Sequence, residues 1–286
     1  MIEVTELQAQ LGNPDLVVVD CRFNLMEPAA GRGAWKAGHI PSAVYAHLDD
    51  DLARAPSPDE GRHPLPSPEA FAATLGRLGI ARDSVVVAYD DQGGAIAARL
   101  WWMLGWVSHR KRFLLNGGLN AWEKAELPLE AGETRPVPRE YGAVSADETL
   151  TASTAEIAAW SGRAVAGAAS PDTTTLLDAR APARYRGEVE PIDPVAGHIP
   201  GAGNLPFSDL LDTDGRFRSS TALARIFAEA LRAGGSADSV VAMCGSGVTA
   251  CHLLAGLAIT GHNGRLYAGS WSEWIRDPSR NIASDR

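Results

Sequence analysis

Val240-Val241-Ala242-Met243-Cys244-Gly245-Ser246-Gly247-Val248-Thr249-Ala250-Cys251-His252-Leu253-Leu254 passes from an apolar run, through a cysteine set among glycines, into a second apolar run. Its first four residues have the continuous hydrophobicity of a strand covered on both faces. A six-residue loop then begins at Cys244, and a helix is expected to open near Val248. Open α/β sheets carry their ligands beyond the C-terminal ends of the strands, which is where this reading puts the cysteine. Gly245 and Gly247 permit positive φ, so successive N–H groups can turn toward the Cys244 sulfur. The helix behind the loop adds unpaired N–H groups and the positive end of its dipole. Such surroundings favour a thiolate, and Cys244 is therefore read as a nucleophile in an anion cradle. A lone cysteine is more often a small packed hydrophobe, but the Gly-Ser-Gly that follows argues against that here. A phosphatase loop needs an arginine six positions after the cysteine to clamp phosphate, and that position is Ala250.

The chain around this loop has 286 residues, 45% hydrophobic and 21% charged, which is a globular composition with room for two ordinary domains. A net charge of −9 argues against nucleic acid or an anionic membrane as partner. The first residues, Met1-Ile2-Glu3-Val4-Thr5-Glu6, lack the basic start and apolar run of a signal peptide. No stretch is long and apolar enough to span a bilayer. Three widely spaced cysteines suit a reducing compartment, and the cytoplasm is expected. No cluster has metal-ligand spacing and no glycine pattern makes a nucleotide loop, so neither metal nor cofactor is expected.

Taken in order, the chain repeats itself. Leu16-Val17-Val18-Val19-Asp20 returns as Thr175-Leu176-Leu177-Asp178, and Gly38-His39-Ile40-Pro41 returns as Gly197-His198-Ile199-Pro200. Ser84-Val85-Val86-Val87 returns as Ser239-Val240-Val241-Ala242, and the stretch ending at Trp122 returns in the stretch ending at Trp274. Four anchors in one order imply a duplicated domain. Helical patterns, such as Pro68 to Leu78 and Thr221 to Ala233, alternate with the strands. That alternation predicts a parallel sheet covered by helices in each half. Residues 131–150 are rich in proline, glycine and charge and read as a linker, which gives domains at 1–130 and 151–286. Trp101, Trp102, Trp106, Trp122, Trp271 and Trp274 read as core or interface. Where the second half has Cys244 the first has Asp90, allowing a slip of one residue, so only the second half can do thiol chemistry. A small-molecule site between the halves is the expected arrangement.

The paired Gly-His-Ile-Pro elements, Arg184-Tyr185-Arg186-Gly187, the Cys244 loop and Gly269-Ser270-Trp271-Ser272-Glu273-Trp274 together resemble the two-domain rhodanese-type sulfurtransferases. The resemblance extends from about Val4 to Trp274 and implies an α/β fold of tandem rhodanese-like domains, the first without a catalytic cysteine. It also implies a sulfur relay through a Cys244 persulfide, with small-molecule donor and acceptor and with thioredoxin as one acceptor. The neutral loop Cys244-Gly245-Ser246-Gly247-Val248-Thr249 resembles that of enzymes using 3-mercaptopyruvate, whereas enzymes using thiosulfate place two basic residues after the cysteine. By this resemblance Arg184 holds the donor's anionic end, and Gly245, Gly247, Val248 and Thr249 line the donor site. Ser246, His63 and Asp49 match a proposed proton relay. One departure bears on the donor: Glu188 to Pro194 lacks the second arginine that mercaptopyruvate enzymes of the animal type carry there. Arg186 would point to the other face of an extended chain. Thiosulfate therefore stays as the second donor, and a non-catalytic persulfide carrier as the rival outside enzymology. His39 and His198 read as structural because both halves keep them, and Cys21 and Cys251 as packed thiols.

Overall fold

A computed structural model describes residues 1–165, 173–231 and 235–285. It divides into two units, each built on a four-stranded parallel sheet. In the first unit the strands are β1 (Leu16–Asp20), β2 (Val44–Tyr45), β3 (Val85–Tyr89) and β4 (Arg112–Leu114), in the order β2-β1-β3-β4. In the second they are β5 (Thr175–Asp178), β6 (Gly203–Asn204), β7 (Val240–Met243) and β8 (Arg265–Leu266), in the order β6-β5-β7-β8. The first unit's helices are α1 (Val4–Gln10), α2 (Ala29–Ala37), α3 (Leu48–Asp51), α4 (Pro68–Arg77), α5 (Ala97–Trp106) and α6 (Gly118–Lys124). The second unit's are α7 (Thr154–Val165), α8 (Pro182–Tyr185), α9 (Ser220–Ala230), α10 (Ala250–Ile259) and α11 (Ser270–Trp274). One topology occurs twice, as the four sequence anchors require.

Local chemistry sets the helix starts. Ser67 and Ser219 each accept a hydrogen bond from the amide three residues on, at the heads of α4 and α9, and Pro68 occupies the first turn of α4. The helix expected over Thr221 to Ala233 is observed to Ala230, and Arg232 and Ala233 lie outside the described residues. The central strands β5 and β7 are buried at every residue, which is why they read as apolar runs rather than as alternation. Trp122 and Trp274 are buried in the cores of their units, each with its indole N–H donating to a carbonyl, of Pro128 and Asn281 respectively. Trp102, Trp106 and Trp271 are also buried, while Trp101 is half-buried under the guanidinium of Arg112.

Two of the repeated anchors are tied together by one buried ion pair in each unit. Arg22 forms a forked contact with Asp20 and donates to the carbonyl of Gly38, the first residue of Gly-His-Ile-Pro. Arg180 repeats this with Asp178 and the carbonyl of Gly197. The strand end and the next repeated turn are thus fixed by the same guanidinium. His39 donates from Nδ1 to the carbonyl of Trp35 and stacks on its ring; His198 does the same with Tyr185. Their repetition has a packing cause.

The units differ from a cut at the linker in two places. Residues Ala55–Pro64 belong to the second unit and Leu211–Phe217 to the first. Gly61 lies so close to Gly269 that a Cβ would stand 2.5 Å from its carbonyl oxygen, and the Arg62 amide donates to Ser272 Oγ. Phe217 donates its amide to Asn116, and Arg216 pairs with Glu3. The expected linker has no regular element before Glu148, and the first unit runs through Asp147. Amides of Gly132, Arg139 and Asp147 bond to Lys36, Gly76 and Trp106, so the stretch is laid along that unit.

Removing one member of a buried ion pair strands the other's charge, at a cost of about 3–5 kcal/mol. Arg22→Met is expected to destabilise the protein on this scale, since Asp20 is fully buried and, among the described residues, would keep only the Tyr89 hydroxyl and the amide of residue 22 as donors. Urea unfolding measures it, and a loss under 1 kcal/mol would refute the pair's structural role.

Candidate active site

Cys244 follows the last residue of β7 and is 2% exposed. Its surroundings are arranged by α11. The amides of Trp271 and Ser272 donate to the carbonyls of Cys244 (3.0 Å) and Gly245 (2.9 Å), while the Cys244 amide donates to Ser270 Oγ at 3.1 Å. With these carbonyls held toward α11, the amides that follow are free to face the other way. Those of Gly245, Ser246, Val248, Thr249 and Ala250 have no acceptor among the described residues. The loop then enters α10, whose first turn is closed by Cys251 and His252 donating to Val248 and Thr249. Helical bonding starts where expected, although the regular helix begins at Ala250.

The expectation that both loop glycines take positive φ holds for Gly247 alone, at 76°. A Cβ on Gly247 would also stand 2.5 Å from the Ala268 carbonyl oxygen. Gly245 has a different reason to be glycine: a Cβ there would meet Arg62 Nη2 at 3.0 Å and Arg184 Nη2 at 3.6 Å. Val248 is buried and Thr249 half-buried at the head of α10. Cys251 lies inside that helix with its thiol on the Gly247 carbonyl, and all three cysteines are free.

The first unit displays what such a loop holds. Asp20 pairs with Tyr89 as Asp178 pairs with Met243, which resolves the slip of one residue and aligns Asp90 with Cys244. The Asp90 carboxylate is fully buried and accepts four amides, from Gln92 (2.8 Å), Gly94 (2.8 Å), Ile96 (2.7 Å) and Ala97 (2.8 Å). Counted from the aligned residues, the first three correspond to Ser246, Val248 and Ala250. The first loop is a nest filled by its own side chain; burial pushes the Asp90 carboxyl above its ordinary value, and the four amides act against that shift.

His63 and Ser246 come together within the second unit: His63 Nδ1 is 2.7 Å from Ser246 Oγ, and both are buried. Asp49 belongs to the first unit, on α3, where burial pushes its carboxyl above the ordinary value, with His47 acting against the shift. Arg184, on α8, binds Glu190 through Nε and Nη2 and reaches Asp193 at 3.3 Å. Burial opposes the charge of Glu190, yet Arg184 and two backbone amides hold its carboxyl below the usual range. Arg186 is not in an extended segment: it caps α8, is 41% exposed and pairs with Glu188. The guanidinium that sequence reading missed is Arg62, which is bound to Asp193 and adjoins Gly245. Arg180 was missed too, although Asp-x-Arg recurs in both halves; its charge is opposed by burial and favoured by Asp178, Glu190 and Cys244.

Gly247→Ala would combine positive φ with a backbone clash and is expected to destabilise by about 2 kcal/mol or more. Gly245→Ala meets only the flexible side-chain ends of Arg62 and Arg184 and is expected to leave the unfolding free energy within about 0.5 kcal/mol of the parent. Equal losses in urea unfolding would contradict the geometry.

Among known proteins, the family described as the rhodanese-like domain matches residues 3–125 and 163–277. A Pseudomonas aeruginosa protein provisionally named 3-mercaptopyruvate sulfurtransferase is 47% identical over 287 residues, covering 99% of this chain and 98% of its own. A Mycobacterium tuberculosis protein provisionally named thiosulfate sulfurtransferase SseB is 40% identical, covering 96% of this chain and 92% of its own. The crystal structure of Escherichia coli SseA, described as a 3-mercaptopyruvate sulfotransferase of rhodanese fold, superposes with a TM-score of 0.80 at 30% identity, covering 95% of this chain and 98% of its own.

Proposed function

Since the chain belongs to the rhodanese-like family, we propose that it is a sulfurtransferase that moves sulfane sulfur from 3-mercaptopyruvate to a thiophilic acceptor through Cys244. The observation that carries this reading is the loop after β7. After the buried cysteine, the amides of Gly245, Ser246, Val248, Thr249 and Ala250 have no acceptor among the described residues, the carbonyls of Cys244 and Gly245 being engaged by α11.

In the first half-reaction the Cys244 thiolate attacks the donor sulfur. An S–S bond forms and the donor's C–S bond breaks, its electron pair passing to the departing carbon as the pyruvate enolate. The proton of the donor thiol ends on that carbon, leaving pyruvate and a Cys244 persulfide anion. Covalent capture divides one difficult transfer into two easier ones. Loop amides and the amino end of α10 stabilise the anion. Ser246 and His63, already hydrogen-bonded, supply a path for the proton, with Asp49 as the third member carried over from the family resemblance. In the second half-reaction cyanide, a thiol or reduced thioredoxin takes the terminal sulfur and restores the thiolate. Arg184, beside Gly245, receives the donor's anionic end.

Donor choice follows from charge. The loop residues between Cys244 and Ala250 are neutral, which favours a 2-oxo acid over the compact thiosulfate dianion. Thiosulfate is the second reading, supported by the name of the M. tuberculosis relative. A persulfide carrier without small-molecule turnover is the third. Among the described residues no helix is long and apolar enough to cross a membrane, and three free thiols fit a reducing compartment such as the cytoplasm.

Sulfur transfer to cyanide from each donor, measured on one preparation, is expected to give a kcat/KM at least tenfold higher for 3-mercaptopyruvate, about 1.4 kcal/mol of differential transition-state binding. A lead for thiosulfate would reverse the donor assignment, and activity with neither would favour the carrier. Cys244→Ser is expected to remove both activities. His63→Ala is expected to slow mercaptopyruvate turnover by about 100-fold and thiosulfate turnover by much less, because only the former requires a proton on carbon; equal effects would remove His63 from the relay.

A further inference from the structure

Glu188 to Pro194 holds no second arginine, but another guanidinium, that of Arg62, lies beside Arg184. Arg62 lies in Ala55–Pro64, the stretch of the first half that belongs to the second unit. Its backbone is fixed there by the close approach of Gly61 to Gly269 and by the bond from the Arg62 amide to Ser272 Oγ. Its Nη1 contacts Asp193 Oδ1, while Arg184 Nη2 approaches Asp193 Oδ2 at 3.3 Å. One carboxylate therefore holds two guanidinium groups side by side. Both converge on the residue after Cys244, since a Cβ built on Gly245 would lie within 4 Å of Arg62 Nη2 and of Arg184 Nη1 and Nη2.

We propose that Arg62 is the second donor-binding arginine, and that Asp193 is the positioning residue that sets Arg62 and Arg184 as a pair for the carboxylate of a 2-oxo acid. A residue serving only to tie Ala55–Pro64 down would need no more than the Nη1 contact with Asp193. Arg62 has two donors beyond it: Nε, which is buried, and Nη2, neither with an acceptor among the described residues. Arg184 Nη1 is likewise without one, its other nitrogens being committed to Glu190 and Asp193. Three guanidinium nitrogens from two residues thus stay available next to the loop. Planar, forked donors match a planar carboxylate, which accepts in pairs. The small residue at position 245 leaves room for them, and the pairing with Asp193 limits the mutual repulsion of two adjacent cations.

This inference rests on the sulfurtransferase reading, and the test separates the two. Turnover of 3-mercaptopyruvate by the parent protein is measured first; an inactive parent would overturn the underlying reading and this proposal with it. Binding of 3-mercaptopyruvate is then measured by calorimetry on the Cys244→Ser protein, with and without a change at Arg62. Arg62→Met is expected to raise Kd about 10- to 100-fold, the usual effect of removing a charge-assisted hydrogen bond. Arg62→Lys, which keeps the charge but not the fork, is expected to fall between the parent and the methionine variant. In the Cys244-containing protein the same changes are expected to act on KM more than on kcat. If the parent turns over and Arg62→Met binds 3-mercaptopyruvate as tightly as the parent does, Arg62 is a tether and the proposal is wrong. Should Arg62→Met fail to fold, the lysine variant decides: a Kd raised about fivefold or more upholds the assignment, and an unchanged Kd overturns it.

Discussion

Two backbone hydrogen bonds, from the amides of Trp271 and Ser272 to the carbonyls of Cys244 and Gly245, govern the rest of the site. A peptide unit that turns its carbonyl one way turns its amide the other, so anchoring these oxygens on α11 aims the loop's N–H groups at a common region. Ser270 completes the anchor by accepting the Cys244 amide while donating to the Tyr267 carbonyl, and it does so from a backbone with φ of 54°, a conformation a non-glycine residue seldom adopts. The buried indoles of Trp271 and Trp274 hold α11 in the core of the second unit. The chemistry of the cysteine thus depends on a short aromatic helix far along the chain.

The two halves show how one architecture serves two outcomes. In the first, the residue after the central strand is Asp90, whose carboxylate satisfies the amides of its own loop at no more than 2.8 Å each. In the second, a cysteine takes the same register, and the amides of Ser246, Val248 and Ala250 have no acceptor among the described residues. The sheet order, the Asp-x-Arg contact to Gly-His-Ile-Pro and the terminal tryptophan are shared, because they set the scaffold rather than the reaction.

The fold was legible in the sequence because its signals are local or repeated. Apolar runs of four or five residues became β1, β3, β5 and β7, and the helical patterns from Pro68 and Thr221 became α4 and α9. Cys244, Ser246 and Thr249 could be read because they share one loop with its glycines. The contact of His63 with Ser246 could be suggested only by family resemblance, since it joins residues far apart in the chain. Arg62 escaped notice for the same reason: nothing in Gly61-Arg62-His63-Pro64 shows that Asp193 will be its partner. Gly245 was misread because a glycine can be required by a neighbour's bulk as well as by φ, and sequence alone does not separate the two causes.

The placement of Ala55–Pro64 in the second unit has a consequence for how such a protein can be cut or shortened. A fragment beginning after the linker would keep the cysteine loop, α10 and α11 but would lose both Arg62 and His63. The half that carries no reactive thiol is therefore not dispensable ballast. It delivers a strap of the other half's wall, and a gene reduced to its cysteine-bearing half would encode a loop without its histidine and with one arginine fewer.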